Sequence, residues 1–174
     1  AQTEAPPGLC YGATDVGVPA GASWAVARRV APALGADVAI RHSPLRRCAE
    51  LARAIGVLRP GLEVHADGRL AEMDFGAWEG RAWSSIDRVE FDAWTGDFAN
   101  ARAGLHGEST RAFMQRVGEA FDEARRSGRE ALWVTHAGVI RAAQLLERGV
   151  RCVERADQWS ATAVGFGECV TLEL

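Results

Sequence analysis

What most constrains the fold of this chain is an alternation in which short apolar runs of strand length lead straight into segments of helical periodicity. "ADVAI" runs into "RHSPLRRCAELARAIGVL", and "EALWVTH" runs into "AGVIRAAQLLERG". Neighbouring strands joined through helices run parallel, and a parallel sheet needs helices over both faces. The expected class is therefore α/β, a three-layer αβα sandwich with a mostly parallel central sheet.

The remaining segments fit that frame. Residues 1–20 are rich in Pro and Gly and read as a loop. From Gly21, "GASWAVARRVAPALG" places Trp24, Val26, Val30 and Leu34 at near-helical spacing and stops at a glycine. Ser43 is expected to cap a helix with Pro44 as its first residue, with Leu45, Cys48, Leu51 and Ile55 facing inward. "LEVHADGRL" reads as a second strand and turn. Residues 71–107, rich in Trp and Gly, are expected to hold two short helices. "ESTRAFMQRVGEAFDEARRSG" is a helix with Phe113, Val117 and Phe121 on one face. A last strand is expected in "AVGFGECVTLEL". The 174 residues suit one domain, 1–174, with 76–107 as a cap-like insertion.

Composition removes several functions. All twenty basic residues are arginine, so a Walker P-loop, a protein-kinase site and Schiff-base chemistry, which need lysine, are excluded. A net charge of −3 with dispersed arginines offers no nucleic-acid surface. Cys10, Cys48, Cys152 and Cys169 are too scattered for a zinc site or a disulfide framework, which suits a reducing cytoplasm. No apolar stretch approaches membrane-spanning length, and the first residues lack the features of a signal peptide. No feature fixes an oligomeric state, a homodimer included.

In parallel α/β sheets, sites form beyond the carboxyl ends of the strands, where loops enter helices. Two segments meet that condition. Arg47 lies one turn into its helix, where a guanidinium can grip a phosphate through two bonds, or can sit solvated beside Arg46. His136 closes an apolar strand, and Ala137 and Gly138 after it leave backbone N–H groups open to an anion. The alternative is a half-buried, hydrogen-bonded histidine. Glu72 lies in an acidic stretch with Asp74 and Glu79, among Phe75 and Trp78. It is either a solvated loop carboxylate or an acid whose pKa is raised by aromatic neighbours. Trp78, Trp83 and Trp94 either line a substrate entrance or are buried in the cap. Ser109 is expected to cap its helix, with Glu108 beside it in a helix-start role rather than in contact with substrate.

Taken together, "SPLRRCAELA", "RLAEMDFGAWEG", "GLHGESTRAFMQRV" and "LWVTHAGVIRAA" closely resemble, in order, the motifs of the histidine phosphatase superfamily, also called phosphoglycerate mutase-like. "GLCYGATDVGVP" resembles most the α-ribazole phosphatase branch. The resemblance implies a phosphoglycerate mutase-like fold and a metal-independent phosphomonoesterase that needs no cofactor and acts on a small phosphorylated metabolite. One such substrate is α-ribazole 5′-phosphate in cobalamin biosynthesis. It implies Glu72 and His136 as catalytic residues, and Arg47, His136 and Ala137 as the phosphate site. In that site Arg47, His136 and a further arginine neutralise the phosphoryl oxygens. Thr3 and Tyr11 are implied substrate contacts. His42 falls at a position without a catalytic role, despite standing beside Arg41.

The nucleophilic histidine of the family lies in an Arg-His motif that ends the first strand and precedes a Glu/Gln-Thr pair. Here "AQT" reads as the tail of that motif, so the strand and the Arg-His pair are expected just before Ala1. Pro6 and Ala13 depart from the family pattern, Ala13 at a position where arginine is expected. An inactive phosphate-binding or scaffold protein of the same fold is the alternative function. A phosphoglycerate mutase fits less well, because the interval between Glu72 and the His136 strand is short.

Overall fold

A computed structural model describes residues 2–159 and 164–173. The alternation is realised as three parallel strands: β1 (Ala39–His42), β2 (Val64–Ala66) and β3 (Ala131–Val134), in the spatial order β2-β1-β3. The helices are α1 (Ala22–Val30), α2 (Arg46–Leu58), α3 (Arg88–Gly96), α4 (Thr110–Ser127) and α5 (Ala137–Glu147). Alternate residues of β3 face opposite layers. Leu132 and Val134 join Ile40, Leu51 and Ile55 in a core under α1 and α2. Trp133 packs toward the core of α4 and α5, built on Phe113, Val117, Phe121 and Val139. Each such side chain, fully buried, contributes roughly 1.5–3 kcal/mol, so the two cores hold the helical layers to the sheet.

Three expectations change in detail. The first strand starts at Ala39 rather than Ala36 and extends through Arg41 and His42, because pairing in register with β3 (Ala39 opposite Ala131, His42 opposite Val134) sets its ends. Apolar content cannot report a partner's register. Next, α2 starts at Arg46, with extended Leu45 before it. Ser43 does not cap it. Its hydroxyl accepts the Leu45 N–H at 3.3 Å and meets the His136 ring instead. Finally, residues 164–173 form no strand: Glu168 to Leu172 line the groove that β3 also lines, and join no ladder. Ala163 and Leu174, the ends of that expected strand, lie outside the described residues.

Residues 71–107 hold one α-helix, α3, and 3₁₀ turns at Gly76–Trp78 and Trp83–Ser85. Ser109 caps α4 as expected, accepting the Ala112 N–H at 3.3 Å. Among the described residues β3 pairs with β1 alone. Its other edge faces a groove of about 660 Å³, walled by Val30 and Leu34 from the α1 side and by Phe121 and Ala124 of α4. No helix among the described residues is long and apolar enough to cross a membrane.

Candidate active site

The carboxyl ends of β1 and β3 adjoin, since the Ser43 N–H donates to the Val134 carbonyl at 3.0 Å. That contact brings the first turn of α2, with Arg47, against the start of α5, with His136. The 71–79 loop adds Glu72, and the N-terminal loop adds Thr3 and Tyr11. Together with Ala137, these residues line one cavity of about 320 Å³. Thr3, Tyr11, Arg47, Glu72, His136 and Ala137, distant in sequence, are thus brought to one place.

Arg47 is 5% exposed, so it is not the solvated alternative. Its Nε donates to His136 Nδ1 at 3.1 Å, and its terminal nitrogens donate to the carbonyls of Thr14 (2.9 Å) and Gly12 (2.7 Å). A guanidinium has five N–H donors. Three are used in aiming the group, leaving two for a ligand. Tyr11 lies under the guanidinium, 5.5 Å from its ring centroid, and the Tyr11 hydroxyl bonds Thr3 Oγ1 at 3.0 Å.

Because Arg47 can only donate, His136 Nδ1 is the unprotonated nitrogen, and Nε2–H donates to Ser43 Oγ at 2.7 Å. Burial, and then the charges of Arg47 and Arg116, push the His136 pKa down to about 3. Buried beside a guanidinium, the imidazole is neutral at pH 7, with its one N–H given to Ser43. Cys48 Sγ lies 3.6 Å from His136 Nε2, and burial pushes its thiol up to about 12, so it supplies no thiolate.

Glu72 reaches part of its surface into the cavity, while its carboxyl is enclosed by protein. Burial raises its pKa, and bonds from the Gly138 and Met73 N–H groups, both at 3.1 Å, act against the rise. Of the aromatic residues anticipated beside it, Trp78 is buried with its Nε1 donating to Glu90 instead. Trp94 is half-buried in the same aromatic cluster, and Trp83 alone of the three lines the cavity. His42 lines a different, shallow pocket with Arg53 and Val57, its Nδ1 2.8 Å from the Ser43 carbonyl.

Sequence reasoning passed over two supports. Arg116 binds Glu108 through two 2.8 Å bonds and donates to the carbonyls of Arg69, Ala71 and Glu72, fixing the path of the chain at Glu72. This pairing also gives Glu108 a structural partner. Glu79 gathers backbone N–H groups of the 12–14 loop. Both residues lie in the quoted motifs, which was the available signal. Their roles needed contacts between segments far apart in sequence.

The chain matches the model of the histidine phosphatase superfamily (branch 1) over residues 9–164. A mycobacterial glucosyl-3-phosphoglycerate phosphatase is 26% identical, with 84% of this chain and 74% of that one covered and a TM-score of 0.68. A phosphoglycerate mutase from Thermus thermophilus is 32% identical over 78% of this chain and 72% of that one, with a TM-score of 0.59. A protein of Escherichia coli described as a putative alpha-ribazole-5′-P phosphatase is 26% identical, covering 82% and 72%, with a TM-score of 0.66. Among curated protein sequences none matches.

Proposed function

Since the chain belongs to the histidine phosphatase superfamily, branch 1, we propose that it is a phosphomonoesterase working through a phosphohistidine. The observation that carries this reading is the meeting of Arg47, His136 and Glu72 in one cavity, with the Glu72 pKa raised as a general acid requires. The two spare N–H donors of Arg47 hold the phosphoryl oxygens, and the neutral His136 ring, accepting from the Arg47 Nε, keeps the guanidinium in place. A histidine nitrogen forms the N–P bond as the ester P–O bond breaks, and Glu72 gives its proton to the departing alkoxide. The ionised Glu72 then takes a proton from water, whose oxygen forms the new P–O bond as N–P breaks.

The attacking imidazole is proposed on a segment preceding Ala1. His136 already uses both ring nitrogens, and His42 lines another pocket. The edge of β3 that pairs with no strand among the described residues, and the groove beside it, support this reading. A parallel strand laid there would end beside His136, as β1 ends beside it from the other side. Residues 76–107 are proposed as the cap over the site, with Trp83 and Tyr11 toward the leaving group. The substrate is proposed to be a small phosphorylated metabolite; α-ribazole 5′-phosphate and glucosyl-3-phosphoglycerate, after the neighbours' names, are the first two to assay.

The test is incubation of the full-length protein with an aryl phosphate, followed by analysis of protein-bound phosphate. Acid-labile, base-stable phosphate that disappears on chase is the expected result. Binding of phosphate with no turnover and no labelled protein overturns the reading in favour of a phosphate-binding scaffold.

A further inference from the structure

The loop at Gly12–Thr14 is held from both sides by opposite charges. On one side stands the Glu79 carboxylate. It accepts N–H bonds from Gly12 (3.0 and 2.9 Å), Ala13 (3.0 Å), Thr14 (3.0 Å) and Phe75 (3.0 Å), and the Thr14 hydroxyl donates to it as well. A carboxylate has about four lone-pair sites, so this one is saturated. On the other side, Arg47 donates to the carbonyls of Gly12 and Thr14 at 2.7 and 2.9 Å.

The Gly12 carbonyl and the Ala13 N–H belong to the same peptide unit. The guanidinium grips one end of that unit and the carboxylate the other, so the two hydrogen bonds polarise each other in series. Space adds a second restraint. A Cβ on Gly12 would stand 1.7 Å from the Met73 carbonyl oxygen, so the loop lies directly against the segment that carries Glu72. Burial alone would raise the Glu79 pKa, but the bonds from Thr14, Phe75 and Gly12 outweigh it and hold the carboxyl below its ordinary value. The group is therefore ionised near neutral pH.

We propose that Glu79 is a positioning residue. It freezes the Gly12–Thr14 loop so that the loop's carbonyls aim the Arg47 guanidinium, leaving its two spare donors directed at the phosphate. The inference rests on the phosphatase reading, because it needs Arg47 to bind the phosphoryl group.

The sign of one substitution separates positioning from simple electrostatics. Glu79→Gln removes a negative charge from the neighbourhood of an anion site, which by Coulomb's law alone tightens anion binding. It also replaces an oxygen with an N–H₂ group facing the loop's N–H groups, which frees the loop and lets the guanidinium swing. Positioning therefore predicts weaker binding.

The experiment measures inorganic phosphate affinity by calorimetry in wild type, E79Q and Thr14→Ala, with melting curves and the NMR exchange rate of the Arg47 Nε–H. Expected are about tenfold weaker phosphate binding for E79Q, two- to threefold for T14A, and faster Nε–H exchange in both. A purely structural role would lower the melting temperature without changing affinity. E79Q binding as tightly as wild type, or tighter, overturns the proposal while the phosphatase reading stands. If E79Q does not fold, T14A decides, and unchanged affinity there overturns the proposal. A wild-type protein that binds no phosphate overturns both readings.

Discussion

Replacing Gly138 with alanine tests how Glu72 is held. Gly138 occupies the second position of α5, and its N–H donates to Glu72 Oε2 at 3.1 Å. An added Cβ would stand 2.2 Å from Glu72 Oε1 and 3.1 Å from its carboxyl carbon. Carbon and oxygen atoms meet comfortably only at about 3.3 Å or more. The carboxyl must therefore retreat by roughly 1 Å, and its bond to residue 138 is lost. A displacement of that size at a reacting group costs on the order of 100-fold in rate, about 3 kcal/mol of barrier.

The fold feels far less of this change, since alanine is the better helix former by about 1 kcal/mol and offsets part of the strain. The Gly138 bond favours the ionised carboxyl, so losing it raises the Glu72 pKa further and moves the basic limb of kcat/KM to higher pH. The assay is kcat/KM against pH on an aryl phosphate in the full-length protein, alongside a thermal melt. A variant within about threefold of wild type and with an unshifted limb refutes the reasoning. So does a rate loss matched by gross unfolding.

Two further predictions concern the histidine. Ser43→Ala removes the partner of His136 Nε2 and the acceptor for the Leu45 N–H; it is expected to destabilise the protein by about 1–2 kcal/mol in denaturant unfolding and to slow turnover roughly tenfold through a loosened imidazole. Unchanged values for both would show that the hydroxyl is incidental. His136, with a folded-state pKa near 3 against about 6.5 unfolded, contributes stability that is fully present above pH 6.5 and lost as pH falls toward 3. His136→Asn removes that dependence, so the stability gap between wild type and variant should narrow by about 1 kcal/mol per pH unit between 6.5 and 4. Parallel curves across that window would contradict the buried, neutral state.

Much of this protein is determined locally. The period of the apolar residues marked α1, α4 and α5 to within a few positions, because a helix's inward face is written in the order of its own residues. The two strand-to-helix junctions that hold Arg47 and His136 were legible for the same reason, as was the cap of α4 at Ser109. Tertiary structure decided what depends on partners distant in sequence. Pairing with β3 moved β1 onward along the chain, and a hydroxyl that reads as a helix cap turned to the His136 ring. Residues 164–173 have strand-like composition but acquired no ladder, because a strand exists only through the neighbour it bonds. The charge of His136 and the proton affinity of Glu72 were likewise unreadable from residue types, since enclosure and the nearby guanidinium set both. The Glu79 clamp shows the same limit. A carboxylate becomes an organiser of the phosphate site only when folding brings four backbone N–H groups from two loops around it.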